Sequence, residues 1–295
     1  LHLRDVPQVL ISKTIDNDVG AMPKGREIAF PDIVNYFTLG FPTASRKISS
    51  FVSLKEGLRT TAYSHRRIIL LESMGMHAGW LALSAALGHP DLIILPEFPL
   101  NYESFKEKVI RRYEKEKNLI IVLAEGARWE NGTYISVVEG EEDDFGHPRF
   151  RGAAESLARR LKEDLKQYFD TRNVNFVNPS YLYRSGAPCR LDLEWAGRLG
   201  REAVKLLATN PGEPTFLTIR RYGEKLALCP RSVAGVRFIE QLHRFVDGRF
   251  YDPREMSVTG AGREYLRCIA EDVPEEEYGL KDRTTRTSKT LKKRQ

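Results

Sequence analysis

The sequence is poor in cysteine, with only Cys189, Cys229 and Cys268 in 295 residues. An odd, widely spaced set suits neither a disulfide framework nor a zinc site, so a reducing, cytoplasmic setting is the default expectation. No apolar run reaches the ~18 residues that a membrane helix needs, and the first residues show no signal-peptide pattern. A membrane partner is therefore not expected. Internal repeats are absent, and no Pro/Gly-rich linker marks a boundary, so periodicity alone leaves one domain and two domains both open. Asn131-Gly132-Thr133 matches a glycosylation sequon. Without a secretion signal it reads as a turn between strands.

What is present is an ordinary globular balance, 41% hydrophobic and 29% charged, in a chain long enough to bury a large core. The formal net charge is +6. All of it resides in residues 281–295, where seven cations stand against Asp282, so residues 1–280 are formally neutral. A basic, Thr-rich tail without aromatics reads as a solvated disordered end. The body offers no electrostatic footprint for nucleic acid.

Strand-like and helix-like stretches alternate. Val6 to Ser12, Arg67 to Glu72, Leu92 to Leu95, Leu119 to Ala124 and Val174 to Val177 are short apolar runs that suit buried strands. Residues 43–63, 77–87, 101–117, 152–169 and 191–208 carry helical spacing. The acidic stretch 139–144 reads as a solvent loop. Strands separated by helices predict βαβ units, an α/β fold and a mostly parallel sheet.

In such sheets ligands sit at the carboxyl ends of strands. Polar clusters fall there: Lys13 to Asp18, Glu72 to His77, Glu125-Gly126-Ala127 and Tyr181 to Gly186. In Thr14-Ile15-Asp16-Asn17-Asp18 two carboxylates lie two residues apart on a turn. One suits Mg²⁺ and the other suits proton abstraction from a hydroxyl, although a solvated Asx turn has the same pattern. Lys13 suits either a phosphate contact or the surface. Arg184 suits a bidentate phosphate clamp or a structural ion pair. His77 and His89, beside helix-forming apolar residues, read as structural.

Taken in order, the clusters resemble the phosphofructokinase family. Ser12-Lys13-Thr14-Ile15-Asp16-Asn17-Asp18 resembles its Thr-Ile-Asp-Asn-Asp signature, and Thr38-Leu39-Gly40-Phe41-Pro42-Thr43-Ala44 is similar to its Thr-Phe-Gly-Phe-Asp-Thr-Ala. Glu72-Ser73-Met74-Gly75-Met76-His77-Ala78-Gly79-Trp80 resembles Glu-Val-Met-Gly-Arg-His-Ala-Gly-Trp. Ser64-His65-Arg66-Arg67 precedes it. Pro96-Glu97, Ala124-Glu125-Gly126 and Pro179 to Gly186 follow, so the likeness spans roughly residues 6 to 270.

The resemblance implies two Rossmann-like three-layer lobes. Residues 30–183 would form the sugar-phosphate lobe. Residues 1–29 and 184–280 would be what remains of a donor lobe. It implies Asp16 as the base toward the 1-hydroxyl of fructose 6-phosphate, with Thr14, Asp18 and Lys13 organising Mg²⁺ and the transferring phosphoryl group. Asp18 would be the metal ligand. Met74, Gly75, Met76, Glu125, Tyr181 and Arg184 would line the sugar-phosphate site. Arg67 would reach it across a subunit interface, so a homodimer or homotetramer is implied.

Three departures accompany the likeness. Met76 stands where many members carry an arginine. Asn175 falls where some ATP-dependent members carry another. The sequence starts almost at the Asp16 motif, ahead of which the family has glycine-rich donor loops, so the first lobe is expected to be incomplete. Gly260-Ala261-Gly262 lacks the context of such a loop. Lys13 resembles the pyrophosphate-using branch, yet some ATP-dependent members share it, and the donor stays open between pyrophosphate and ATP. The alternative is a non-catalytic sugar-phosphate-binding or regulatory subunit of the same family.

Overall fold

A computed structural model describes residues 7–20, 33–142, 148–209, 214–232 and 243–269. The basic tail at 281–295 lies outside the described residues. In chain order the strands and helices begin with β1 (Val9–Ile11), β2 (Lys13–Thr14), β3 (Leu39–Gly40), α1 (Phe41–Val52), α2 (Arg59–Ser64) and β4 (Ile68–Ser73). Next come α3 (Trp80–Ser84), β5 (Leu92–Ile94), α4 (Tyr102–Glu116), β6 (Leu119–Ala124), β7 (Val137–Glu142) and β8 (Pro148–Phe150). Then follow α5 (Ala153–Leu165), β9 (Val174–Val177), α6 (Arg190–Thr209), β10 (Thr215–Tyr222) and β11 (Lys225–Ser232). The described part closes with β12 (Tyr251–Asp252), β13 (Ser257–Val258) and α7 (Gly260–Arg267).

A four-stranded sheet in the order β5-β6-β4-β9 is parallel throughout, with Ile68 opposite both Leu119 and Val174. Every residue of β4 and β6 is buried, which is why these strands read as unbroken apolar runs rather than alternating ones. The two faces still separate with period two. Ile69, Leu71, Ile120 and Val122 pack with residues of α1 and α3. Ile68, Leu70, Leu119 and Ile121 pack with residues of α4 and α5. This is the helix–sheet–helix layering expected of an α/β protein. A second sheet, β1-β10-β11, is mixed: β1 runs parallel to β10, and β10 pairs antiparallel with β11.

Several boundaries differ from the sequence reading. The helix expected over 43–63 is two helices. Leu58 N–H bonds the Phe51 carbonyl at 2.7 Å and Gly57 is pressed so tightly on Ser50 that a Cβ would stand 2.2 Å from its carbonyl oxygen. The helix expected from His77 starts at Trp80, because Gly79 gives its N–H to Glu97 (2.9 Å) and Gly75 adopts φ +126°. It tightens into a 3₁₀ turn over Ala85–Gly88. Of the acidic stretch read as a loop over 139–144, residues up to Glu142 belong to β7, paired with β8, and residues 143–144 lie outside the described residues. The β10–β11 hairpin, joined through Gly223 at φ +59°, was not anticipated. The turn at Asn131–Thr133 is present, with Trp129 N–H on the Thr133 carbonyl at 2.9 Å and Gly132 at φ +83°.

Candidate active site

The loop that follows β2 carries the paired carboxylates. Asn17, at its centre, is 0% exposed and takes φ +56°, a left-handed conformation that asparagine tolerates better than most residues. Its amide oxygen accepts the Thr38 N–H (3.1 Å), and its amide nitrogen donates to the Tyr265 hydroxyl (2.8 Å). The Thr38 hydroxyl donates to the Thr14 carbonyl at 2.6 Å. Asp16 N–H in turn donates to the Thr14 hydroxyl at 3.1 Å. The buried asparagine thus ties down the chain on both sides of the half-buried Asp16 and Asp18.

Asp16 holds its proton more tightly than an ordinary carboxyl group. Burial is the main cause, and repulsion from Asp18 and Glu125 adds to it, while Arg184 and the Thr14 hydroxyl oppose it. These interactions also place Asp18, Glu125 and Arg184 in electrostatic reach of Asp16. Residues from the ends of β2 and β6 and from the segment after β9 therefore converge on one carboxylate. A carboxylate with raised proton affinity is a better base, and a neighbouring arginine provides a place for an anion.

Beyond β4 the chain turns at Gly75, whose N–H donates to Glu125 Oε1 at 3.0 Å. Gly126 is packed against Met76 so closely that a Cβ would stand 1.9 Å from the Met76 carbonyl oxygen. Glycine there lets the turns after β4 and β6 touch. Met74 is partly buried, whereas Met76 is 40% exposed. Arg184 ends a short 3₁₀ segment over Ser180–Arg184 and lies 5.0 Å from the ring of Tyr181, which is 72% exposed. The segment is anchored by its buried neighbour Tyr183, whose hydroxyl donates to the Glu72 carbonyl at 2.7 Å. The Glu72 carboxylate bonds Ala154 N–H (2.8 Å) at the start of α5 and the Asn178 amide (2.7 Å).

Thus Asp16, Asp18, Met74, Gly75, Met76, Glu125, Tyr181 and Arg184 belong to segments that follow the strands, and Thr14 and the exposed Lys13 form β2 beside them. Arg67 does not join them. It precedes β4, where it bonds the Thr61 hydroxyl (3.0 Å), so the six residues of β4 separate it from the site by about 20 Å of strand. The sequence reading missed residues that hold the site from outside: Asp192, Arg244 and Tyr265. The Asp192 carboxylate accepts the N–H groups of Gly40 (2.8 Å) and Thr43 (2.9 Å) and the Thr43 hydroxyl. It thereby caps α1, whose start has no cap of its own. Among the described residues no cluster of three or more His, Cys, Asp or Glu forms a ready-made metal cage.

The family model described as phosphofructokinase matches residues 1–207, the span that contains every site residue expected from the sequence, while Arg244 and Tyr265 lie beyond it. The chain belongs to the phosphofructokinase family. It is 32% identical to an ATP-dependent 6-phosphofructokinase of Chloroflexus aurantiacus, over 81% of this chain and 57% of that one. It is 37% identical to a pyrophosphate–fructose 6-phosphate 1-phosphotransferase of Amycolatopsis methanolica, over 67% of this chain and 52% of that one. The chain therefore spans just over half the length of these curated relatives. In fold it is similar to the pyrophosphate-dependent phosphofructokinase of Nitrosospira multiformis, with a TM-score of 0.69 at 21% identity over 89% of this chain and 60% of that one. The phosphofructokinase relatives thus include users of both donors. No helix among the described residues is long and apolar enough to cross a membrane.

Proposed function

We propose that this chain carries the base and the sugar-phosphate site of a 6-phosphofructokinase, a glycolytic enzyme of the cytoplasm. The reaction is phosphoryl transfer from pyrophosphate or ATP to the 1-hydroxyl of fructose 6-phosphate, giving fructose 1,6-bisphosphate. The observation that carries this reading is the setting of Asp16: half-buried, bonded through its loop to Thr14, and facing Asp18, Glu125 and Arg184. Asp16 removes the proton of the 1-hydroxyl as that oxygen attacks the terminal phosphorus of the donor. The bond from that phosphorus to the bridging oxygen breaks, and its electron pair leaves with phosphate or ADP. Little covalent work falls to the protein in such a transfer, so positioning and charge dominate.

The close approach of two carboxylates favours a divalent cation between them and the donor phosphates. Mg²⁺ is commonly held by one or two carboxylates with phosphate oxygens rather than by a full protein cage. Asp18 would hold it, with Thr14 and Lys13 beside the moving phosphoryl group. When bound, the ion would neutralise charge on the donor phosphates. Met74, Gly75, Met76, Glu125, Tyr181 and Arg184 would surround the sugar phosphate, with Arg184 on the phosphate itself. Residues 30–183 form the sugar lobe in this reading, and 1–29 with 184–280 belong to the donor lobe. Arg67, at the far end of β4, would serve the site of a second copy in a homodimer or homotetramer.

A second reading, a non-catalytic sugar-phosphate-binding subunit, is favoured by Met76, a solvent-exposed thioether where the family resemblance implies an arginine. One experiment separates the two. The full-length protein is given fructose 6-phosphate and Mg²⁺ with ATP or pyrophosphate, and fructose 1,6-bisphosphate is measured. Product with either donor is expected. Saturable fructose 6-phosphate binding without product from either donor would replace the enzyme reading with the binding one.

A further inference from the structure

Arg244 is one of the largest fully buried side chains, at 0% exposure. Such a cation normally faces a carboxylate. Here its guanidinium hydrogen bonds run to neutral oxygens instead. Nε donates to the Asn17 carbonyl (3.1 Å), Nη1 to the carbonyls of Asn35 and Tyr36 (3.0 Å to the latter), and Nη2 to the Tyr265 hydroxyl (3.1 Å). Its Cζ lies 4.6 Å from the centroid of the Trp80 ring and 5.8 Å from that of the Tyr265 ring. The backbone is engaged as well: Arg244 N–H donates to the Asp18 carbonyl (2.7 Å), and the Arg244 carbonyl accepts Trp80 Nε1–H (3.1 Å).

Tyr265, on α7, completes the arrangement. Its hydroxyl donates to the Tyr36 carbonyl (2.5 Å) and accepts from Asn17 Nδ2 (2.8 Å) and Arg244 Nη2 (3.1 Å). One donor and two lone pairs are all that a phenol offers, so every position is used. Three polar groups of the base loop end on this pair of residues: the Asn17 carbonyl, the Asn17 amide and the Asp18 carbonyl. All three belong to the two residues that follow Asp16.

We infer that Arg244 and Tyr265 are positioning residues that clamp the Asn17–Asp18 backbone and so fix the direction of the Asp16 and Asp18 carboxylates. Both are fully buried; Tyr265 acts through Asn17, and Arg244 through Asn17 and the Asp18 carbonyl. Buried hydrogen bonds to an ionised group are strong, and losing one partner leaves the others unpaired, so the clamp is stiff. A planar fork with donors in fixed directions suits carbonyls contributed by separate segments. An ammonium group cannot reproduce it. The inference rests on the phosphotransfer reading for its kinetic consequence alone, because the clamp itself is a property of the loop.

The test uses the full-length protein with Tyr265→Phe, Arg244→Lys and Arg244→Gln. Leu161→Ala, in the core on the far side of the parallel sheet, is the control for general destabilisation. Tyr265→Phe keeps the ring and removes only the shared hydroxyl, so it keeps the question open to test if the arginine variants do not fold. Displacing a reacting group by about 1 Å can cost ~10²-fold in rate. For Tyr265→Phe we expect turnover to fall about tenfold or more with KM for fructose 6-phosphate within about twofold. Arg244→Gln should lose more, and Arg244→Lys should not restore it. Amide hydrogen exchange over residues 13–19 should quicken in Tyr265→Phe while β4 and β6 stay protected. Wild-type exchange at 13–19, or turnover no lower than that of Leu161→Ala, would overturn the clamp. If the wild type makes no product with either donor, the phosphotransfer reading fails by itself, and the exchange over 13–19 still decides the clamp.

Discussion

The parallel sheet and the base loop of this chain are built on opposite principles. In β4–β6 the residues that hold one another are apolar, sit in short continuous runs and pair in simple register, as with Ile68 to Ser73 against Leu119 to Ala124. In the loop from Thr14 to Asp18 the holding groups are polar and come from Thr38, Arg244 and Tyr265, the last 248 positions from its partner Asn17. Burial of apolar area is non-directional and tolerates small shifts, whereas a hydrogen-bonded loop works only in one geometry. Stability and catalysis should therefore be separable by substitution, each residing mainly in its own region.

The strongest break in that comparison is Asp16→Asn. It removes the proposed base and preserves size, so turnover should drop by about 10²–10⁴-fold. Binding of fructose 6-phosphate, followed by calorimetry, should change little. Turnover within a few-fold of wild type would take the base role away from Asp16. The opposite case is Ile121→Ala in β6, which opens a cavity under α4 and α5 and should cost about 2–5 kcal/mol of unfolding free energy. Urea titration measures that loss. Turnover per folded molecule should stay near wild type, because Ile121 lies on the sheet face away from α1 and α3.

The same contrast explains what could be read from the sequence. Leu119–Ala124 was legible to the residue, because a strand buried on both faces declares itself by composition alone. Val174–Val177 was legible from its β-branched and aromatic residues, although it is an edge strand with Phe176 exposed. The grouping of Asp16, Asp18, Glu125 and Arg184 was legible from polar clusters at the ends of separate strands, and their roles are what the proposed function assigns. The helix breaks were not legible, since they depend on Gly57 pressing on the backbone of Ser50 and Phe51 and on Gly79 meeting Leu95 and Glu97, contacts that helical spacing does not announce. The acidic run at 139–142 was misread because charge suits a solvent loop as well as an edge strand paired on one side. Arg244 and Tyr265 were invisible for a stronger reason. An arginine in a polar stretch and a tyrosine on a helix look alike whether they face solvent or support a loop more than 200 residues away. Asp192 belongs to the same class, a helix cap provided by a different helix.

The smallest expected effect is also the sharpest test of the contrast, because it asks whether the base loop lowers stability while it serves the reaction. The Asp16 carboxyl has a proton affinity above that of an unfolded aspartate, through burial first and then through Asp18 and Glu125. The folded protein therefore binds this proton more tightly than the unfolded chain does. By linkage the group's contribution to stability is full below the unfolded value, is lost as pH rises through the raised folded value, and stays lost above it. Asparagine cannot ionise. Asp16→Asn should consequently melt at or above the wild-type temperature at neutral pH, and the gap should narrow as pH falls through the acidic range. Turnover of the wild type should decline over that same interval, as the base becomes protonated. Melting curves of both proteins across that range measure the effect. An Asp16→Asn protein less stable than wild type at neutral pH would show that the carboxylate supports its loop, and would erase the division between the stabilising sheet and the loop of the proposed base at this position.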